Sequence, residues 1–122
     1  MILGKTVCAF ALATCVGFLS LSAAPASAGE INLTVVNIET PQGVKVWVPE
    51  SIFAKKGDTV NLRLINKLQA EHGYKIEAFG IEKVVGPEAA ETVTFTADKA
   101  GIFPIACQLH PPHVAGQLLV LE

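Results

Sequence analysis

The sequence predicts an all-β protein, a single sandwich or barrel of short strands, and three observations support that prediction. Apolar and polar residues alternate in short windows, most cleanly in Thr59–Asn66, where Val60, Leu62 and Leu64 share one face. β-Branched and aromatic residues recur in these windows, and turn residues such as those of Lys55–Asp58 separate them. No window after residue 28 shows a long helical period.

The strand-like windows follow one another along the chain. In order they are Ile31–Glu39, Val44–Val48, Thr59–Asn66, Tyr74–Gly80, Ile81–Val85, Glu91–Ala97, Ile102–Cys107 and Gly116–Glu122. Turns are expected at Lys55–Asp58 and Asp98–Gly101, where Gly, Asp and Lys cluster. Many short strands at this spacing are typical of an antiparallel sandwich or barrel. The segment between the last two windows is then a loop at one end of the sandwich.

The first 28 residues have the composition of a secretory signal peptide. Lys5 precedes an apolar run, Thr6–Leu21, and the small residues Ala26–Ala28 form a cleavage site. A retained membrane anchor is the alternative, but the run is near the lower length limit for spanning a bilayer. We therefore predict cleavage after Ala28, export to the periplasm or beyond, and no stable membrane insertion of the domain formed by residues 29–122.

The composition of the exported part limits its partners. Removing 28 of the 122 residues leaves 94, enough for one domain with a modest core. Lys5 is the only charged residue removed, which leaves 8 basic and 11 acidic residues. The net charge is therefore near −3. Without a basic patch, nucleic acid is not an expected partner. The sequence leaves the oligomeric state open.

Cys107 is the only cysteine that remains once Cys8 and Cys15 leave with the leader. Exported proteins normally pair their cysteines, because their compartment is oxidising. A single one indicates an intermolecular disulfide, a reactive thiol or a metal ligand, with a buried inert thiol as the alternative.

The heptapeptide CQLHPPH places Cys107, His110 and His113 at even spacing, and its two adjacent prolines stiffen the loop. The remaining histidine, His72, lies far upstream where a loop enters a strand, and a sandwich can bring the two loops together. Thiolate and imidazole are ligands that suit copper and zinc. A structural zinc site with one cysteine and three histidines is one interpretation. A single thiolate among imidazoles better matches the copper arrangement of two histidines, one cysteine and a variable axial group.

Three stretches of the chain resemble the cupredoxin family over nearly the whole mature length. They are PESIFAKKGDTVNLRLIN, EHGYKI and FTADKAGIFPIACQLHPPHVAGQLLVLE. The resemblance implies a Greek-key β-sandwich with one mononuclear copper per chain. In the short-loop members amicyanin and pseudoazurin the loop reads Cys-x-x-His-x-x-Met. Carried over, Cys107 is the thiolate ligand, His72 and His110 are the imidazole ligands, and His113 replaces the axial methionine.

The stretches YKIEAFGIEKV and FTADKAGIFPIACQLHP resemble most closely the nitrosocyanins, red-copper cupredoxins that use one cysteine, two histidines and a glutamate. This resemblance makes Glu71 a further candidate ligand, although neighbouring side chains on a strand point to opposite faces.

The family comparison also predicts the surroundings of the metal. It implies that the Gly73 N–H donates to the Cys107 sulfur. Many cupredoxins have an asparagine after the first histidine that ties the two loops together, and glycine here predicts that this tie is absent. Tyr74, Phe79 and Phe103 either shield the metal or pack in the core.

Three functions remain open from the sequence. The first is a one-electron carrier, whose redox partner would dock on the exposed edge of His110 with Pro111, Pro112 and Val114. The second is a nitrosocyanin-like copper site that binds or transforms a small molecule such as nitric oxide. The third is a periplasmic copper chaperone or buffer. No acid–base or nucleophilic constellation indicates conventional catalysis, so an electron-transfer protein is favoured over an enzyme.

Overall fold

The computed structural model describes residues 22–23, 27–110 and 114–122. In these residues nine strands follow one another: β1 Glu30–Glu39, β2 Lys45–Val48, β3 Ser51–Lys55, β4 Thr59–Asn66, β5 His72–Ile76, β6 Ile81–Val85, β7 Ala90–Thr96, β8 Gly101–Ala106 and β9 Val114–Leu121. The predicted all-β architecture is confirmed. The apolar run Thr6–Leu21 of the predicted signal peptide and the segment Pro111–His113 lie outside the described residues.

The strands form two sheets that pack as a sandwich. One sheet has the order β2-β1-β4-β7 and the other β3-β9-β8-β5-β6. Most neighbours are antiparallel, as predicted, but β1 pairs with β4 and β3 pairs with β9 in parallel. These two pairs arise because the chain crosses between sheets after β2 and again after β3, so neighbours in space are not neighbours in sequence. The described residues include no helix that is long and apolar enough to cross a membrane.

The core lies between the two sheets and follows the alternation of the sequence. Val60, Leu62 and Leu64 on β4 are fully buried, which confirms the face predicted for this strand. β3 was not among the windows found by alternation, yet its Ile52 and Ala54 point inward in the same way. Burying an aliphatic side chain of this size stabilises the fold by about 1.5–3 kcal/mol, so the inward faces account for the pairing of the sheets.

One predicted strand ends earlier than expected. The window Tyr74–Gly80 continues as a strand only to Ile76, and Glu77–Phe79 form a single 3-10 turn. Gly80 closes this turn with a φ of 65°, a left-handed conformation that glycine adopts without steric cost. The turn reverses the chain from β5 into β6 and lets Phe79 pack against the core.

A buried asparagine fixes the loop that leads into β5. The Asn66 side-chain Nδ2 donates to the carbonyl oxygens of Ala70 at 2.7 Å and Val85 at 3.1 Å. Its Oδ1 accepts from the Leu68 N–H at 3.0 Å. Because both ends of the short loop are bonded to one buried side chain, the position of His72, the first residue of β5, is well defined.

Candidate metal centre

Three predicted ligands converge at one end of the sandwich. His72 begins β5, Cys107 follows the last residue of β8, and His110 lies in the loop that leads to β9. One ligand atom from each of these residues lies within 4.8 Å of the other two. The Cys107 Sγ is 3.2 Å from the His110 Nδ1, and the two imidazole rings have centroids 5.1 Å apart. The structure therefore brings together two loops that are 35 residues apart in sequence.

The three side chains differ in their access to solvent. Cys107 is 4% exposed and His72 is 5% exposed, whereas His110 is an exposed residue. The buried sulfur and imidazole are held by strand ends, and the exposed imidazole is held by a hydrogen bond from its backbone N–H to the Cys107 carbonyl oxygen at 3.3 Å. A cluster of this kind has one side within the protein and one side at the surface.

The predicted contact between Gly73 and the cysteine sulfur is confirmed. The Gly73 N–H donates to the Cys107 Sγ at 3.2 Å. On its other side, the Gly73 carbonyl oxygen accepts from the Trp47 Nε1 at 3.0 Å. The two peptide groups that flank the Gly73 α-carbon are thus each held by a hydrogen bond. An N–H aimed at the sulfur orients it and partly offsets the negative charge of a thiolate.

Gly73 carries no side chain, so the tie that asparagine makes in many cupredoxins is absent, as expected, and a residue of the other loop makes a different contact here. The carboxamide of Gln108 occupies the space beside Gly73, where a β-carbon would lie 2.2 Å from its Oε1. The Gln108 Nε2 donates to the Lys83 carbonyl oxygen on β6 at 3.1 Å. This hydrogen bond joins the residue after the cysteine to β6, the strand that pairs with β5. Glycine at position 73 is what makes room for it.

Other predicted residues contribute less or lie elsewhere. His113, Pro111 and Pro112 lie outside the described residues, and the same holds for the side chain of Val114. Glu71 is exposed and does not join the three-residue group among the described residues.

The three aromatic residues considered as metal shields are core residues. Tyr74 is 1% exposed and makes an edge contact with Trp47, with ring centroids 5.3 Å apart. Its burial raises the pKa of the Tyr74 phenol. Phe79 and Phe103 pack edge to face at 5.0 Å against the same core. None of the three is among the described residues that line the cavity at the cluster.

A cavity of about 280 Å³ adjoins the three candidate ligands. Its described lining consists of His72, Cys107 and His110 together with Asn37, Gly43, Val44, Lys45 and Trp47. Sequence reasoning missed this second group, because it comes from β1, β2 and the turn between them. The sequence offered one signal for these lining residues. Asn37 and Trp47 occupy inward positions in two of the strand-like windows.

The residues present fit copper. Two imidazoles and one thiolate form the ligand set that suits this metal, and strand ends and backbone hydrogen bonds hold all three in place. The N–H bonded to the sulfur is the kind of outer contact that orients a metal ligand.

Comparisons with known proteins agree with this geometry. A family model described as a cupredoxin-like domain matches residues 8–120. The nitrous-oxide reductase of Cupriavidus necator is 41% identical over 56 residues, which cover 43% of this chain and 9% of that protein. The nitrous-oxide reductase of Ralstonia nicotianae is 43% identical over the same shares. The chain thus spans about a tenth of the length of these relatives.

Two solved structures share the fold at low identity. The copper nitrite reductase of Nitrosomonas europaea has a TM-score of 0.62 at 21% identity, over 75% of this chain and 41% of that one. The metal binding domain of the Cu(I) exporting P-type ATPase CopA of Streptococcus pneumoniae has a TM-score of 0.64 at 17% identity. This match covers 80% of this chain and 91% of that one. At these identities the likeness shows the fold alone.

Proposed function

Because the chain belongs to the cupredoxin-like family, we propose that it is an exported mononuclear copper protein that carries single electrons. The family and the donor set indicate copper as the cofactor. His72, Cys107 and His110 would hold one ion, and His113, outside the described residues, is the proposed fourth ligand. Bound copper supplies a one-electron couple, and the residues around it determine how electrons arrive and leave.

The difference in exposure within the cluster is the observation that most supports electron transfer. The Cys107 sulfur and the His72 imidazole are buried, so little solvent has to reorganise around them when the charge changes. His110 is exposed and lies 3.2 Å from the sulfur, which gives a short route from the interior to a docked partner. Fixed ligands favour fast exchange because little rearrangement accompanies the change of charge.

An apolar rim near His110 supports a docking surface for a redox partner. Leu109 is 38% exposed and Val44 is 49% exposed, and Val44 lines the same cavity as His110. We propose that the redox partner contacts this rim together with Pro111, Pro112 and Val114. Small, weakly bound interfaces are typical of redox encounters, so no large buried area is needed.

Absorption and EPR spectra of the copper-loaded protein test the proposal. We expect one copper per chain and a sulfur-to-copper charge-transfer band that Cys107→Ser abolishes, since only a thiolate supplies it. Glu71→Gln is the matched control, because Glu71 adjoins His72 but is exposed, and it should keep both stoichiometry and band. Fast, reversible voltammetry is expected of a carrier. An unchanged spectrum in Cys107→Ser, or slow redox cycling, would contradict the proposal.

The cavity beside the cluster supports a second candidate, the nitrosocyanin-like small-molecule site. A site that admits nitric oxide needs space beside the metal, and the cavity that adjoins the three candidate ligands provides it. Nitric oxide should then shift the spectrum of the copper-loaded protein. An unaltered spectrum would contradict the small-molecule site and leave the electron carrier as the remaining candidate function.

A further inference from the structure

We propose that the cavity beside the cluster is a binding site for a small anion, held by the Asn37 amide and the Lys45 ammonium. The proposal goes beyond the transfer of electrons and deepens the second candidate function, which uses the same cavity, by naming the class of ligand and the residues that hold it. It is supported by a buried amide that has no partner in the described part of the chain, by the charge of the lining and by the size of the space.

Asn37 is a buried amide that lines the cavity. It lies on β1 between Trp47 of β2 and Asn66 of β4, and it is 1% exposed. Its Nδ2 has no hydrogen-bond partner among the described residues. The neighbouring Asn66 is equally buried, yet both its Nδ2 and its Oδ1 are bonded to the backbone. Buried polar groups in proteins are nearly always bonded, so the Asn37 amide is expected to donate to an occupant of the cavity that it lines.

The charge of the lining determines which occupant is favoured. Lys45 is an exposed cation that lines the cavity, and none of the described lining residues is acidic. The Asn37 Nδ2 and the Lys45 ammonium are donors, so the ligand has to be an acceptor. Val44 and Trp47 supply apolar walls, and a less polar surrounding strengthens a hydrogen bond to a charged acceptor. These features favour a small anion over a cation or an apolar molecule.

The size of the space limits the anion. At about 280 Å³ the cavity is much larger than one water molecule, which takes about 30 Å³ in the liquid, and it is smaller than most sites for drug-sized ligands. Azide and nitrite are small anions that fit within this space and are the probes we would use. Because the cavity is also lined by His72, Cys107 and His110, an anion bound there would lie beside the metal centre.

The test is a titration of the copper-loaded protein with azide, and separately with nitrite, followed by calorimetry and by the visible spectrum. Saturable binding is expected. Asn37→Leu keeps the volume of the side chain but removes the donor, and it should weaken azide binding roughly ten- to hundredfold, the loss expected for a hydrogen bond to a charged group. Asn32→Leu is the matched control on the same strand, since Asn32 is exposed at the far end of β1. The Asn32→Leu variant should bind azide with the same affinity as the unaltered protein.

Lys45→Gln gives an independent test with little risk to folding, because Lys45 is exposed. It should weaken binding a few-fold and reduce the dependence of the affinity on salt. If Asn37→Leu and Lys45→Gln both bind azide as tightly as the unaltered protein, the proposal is overturned. The absence of saturable binding would overturn it as well, because the cavity would then hold water alone. Slow redox cycling would contradict the electron carrier and leave the anion site standing.

Discussion

The carboxamide of Gln108 occupies the space that a β-carbon on Gly73 would need, so the residues that follow Cys107 and His72 interlock. Gly73 donates its N–H to the sulfur, and Gln108 fastens the loop of the sulfur to β6 through the Lys83 carbonyl oxygen. The two positions thus form one structural unit that joins the two ligand loops.

Substitutions at these two positions should be strongly coupled. Gly73→Ala displaces the flexible end of Gln108 and breaks its bond to Lys83, and Gln108→Ala removes the same bond. Each should lower the free energy of unfolding by about 1 kcal/mol. The double variant should lose clearly less than the sum, as urea denaturation can measure. Gln117→Ala, at an exposed glutamine of β9, is the control and should change little. Strict additivity would show that the two residues act separately.

Trp47 should control the metal centre through the Gly73 peptide. Its Nε1 donates to the Gly73 carbonyl oxygen, and the N–H of Gly73 is bonded to the sulfur. Trp47→Phe leaves this carbonyl oxygen without its indole donor and should lower the free energy of unfolding by about 1–3 kcal/mol. It should also shift the charge-transfer band, because Gly73, whose N–H orients the sulfur, is then held by one hydrogen bond fewer.

Tyr74→Phe is the matched control for Trp47→Phe. Tyr74 packs against Trp47, but its buried hydroxyl has no hydrogen-bond partner among the described residues. Removing that hydroxyl should leave the band in place and hold or raise the free energy of unfolding. If both variants shift the band equally, the contact between the rings is what matters and the hydrogen bond to Gly73 is not.

The sequence predicted the parts of the molecule that depend on local patterns. Alternation identified β4 and its buried face, and the spacing of Cys107 and His110 identified a ligand loop. What it missed depends on contacts between distant segments. Alternation shows that Asn37 points inward but not that its amide lacks a partner, and the identity of Gln108 does not reveal that it fills the space left by Gly73. The parallel pairs of strands were missed for the same reason, since they join strands that are not consecutive.

Cleavage after Ala28 should create an ion pair that the uncleaved chain lacks. The Gly29 nitrogen is 2.8 Å from the Asp58 Oδ1, and the Lys55 N–H is 2.8 Å from its Oδ2. Once Gly29 is the first residue, its nitrogen is an ammonium and the bond becomes charge-assisted. A chain that begins at Gly29 should therefore unfold at a higher temperature than one that begins at Ala28. Asp58→Asn should abolish this difference, and mass spectrometry of the exported protein should show Gly29 at its start. A mature chain that retains Cys8 would contradict the predicted cleavage.

Asp58 should also make the fold sensitive to acid. The backbone N–H groups of Lys55 and Gly29 hold the pKa of its carboxyl below the usual value. A carboxyl whose pKa is lowered by folding stabilises the protein at pH values above its pKa in the unfolded state, about 3.9. This stabilisation is lost as the pH falls through the lower pKa of the folded state. The midpoint temperature of thermal unfolding should therefore decrease as the pH is lowered below about 4. Asp58→Asn should weaken this dependence on pH. Asp98→Asn, at an exposed aspartate, should not.

The last prediction concerns His113, which stands where the short-loop cupredoxins have their axial methionine and which lies outside the described residues. Methionine sulfur is a weak, distant ligand that leaves the bond between copper and cysteine short, whereas imidazole is a stronger donor that weakens this bond. The native protein should then be red or green with a low reduction potential. His113→Met should shift the absorption towards blue and raise the potential, as spectroscopy and voltammetry can measure. If His113→Met changes neither, His113 is not a ligand, and the centre consists of His72, Cys107 and His110 alone.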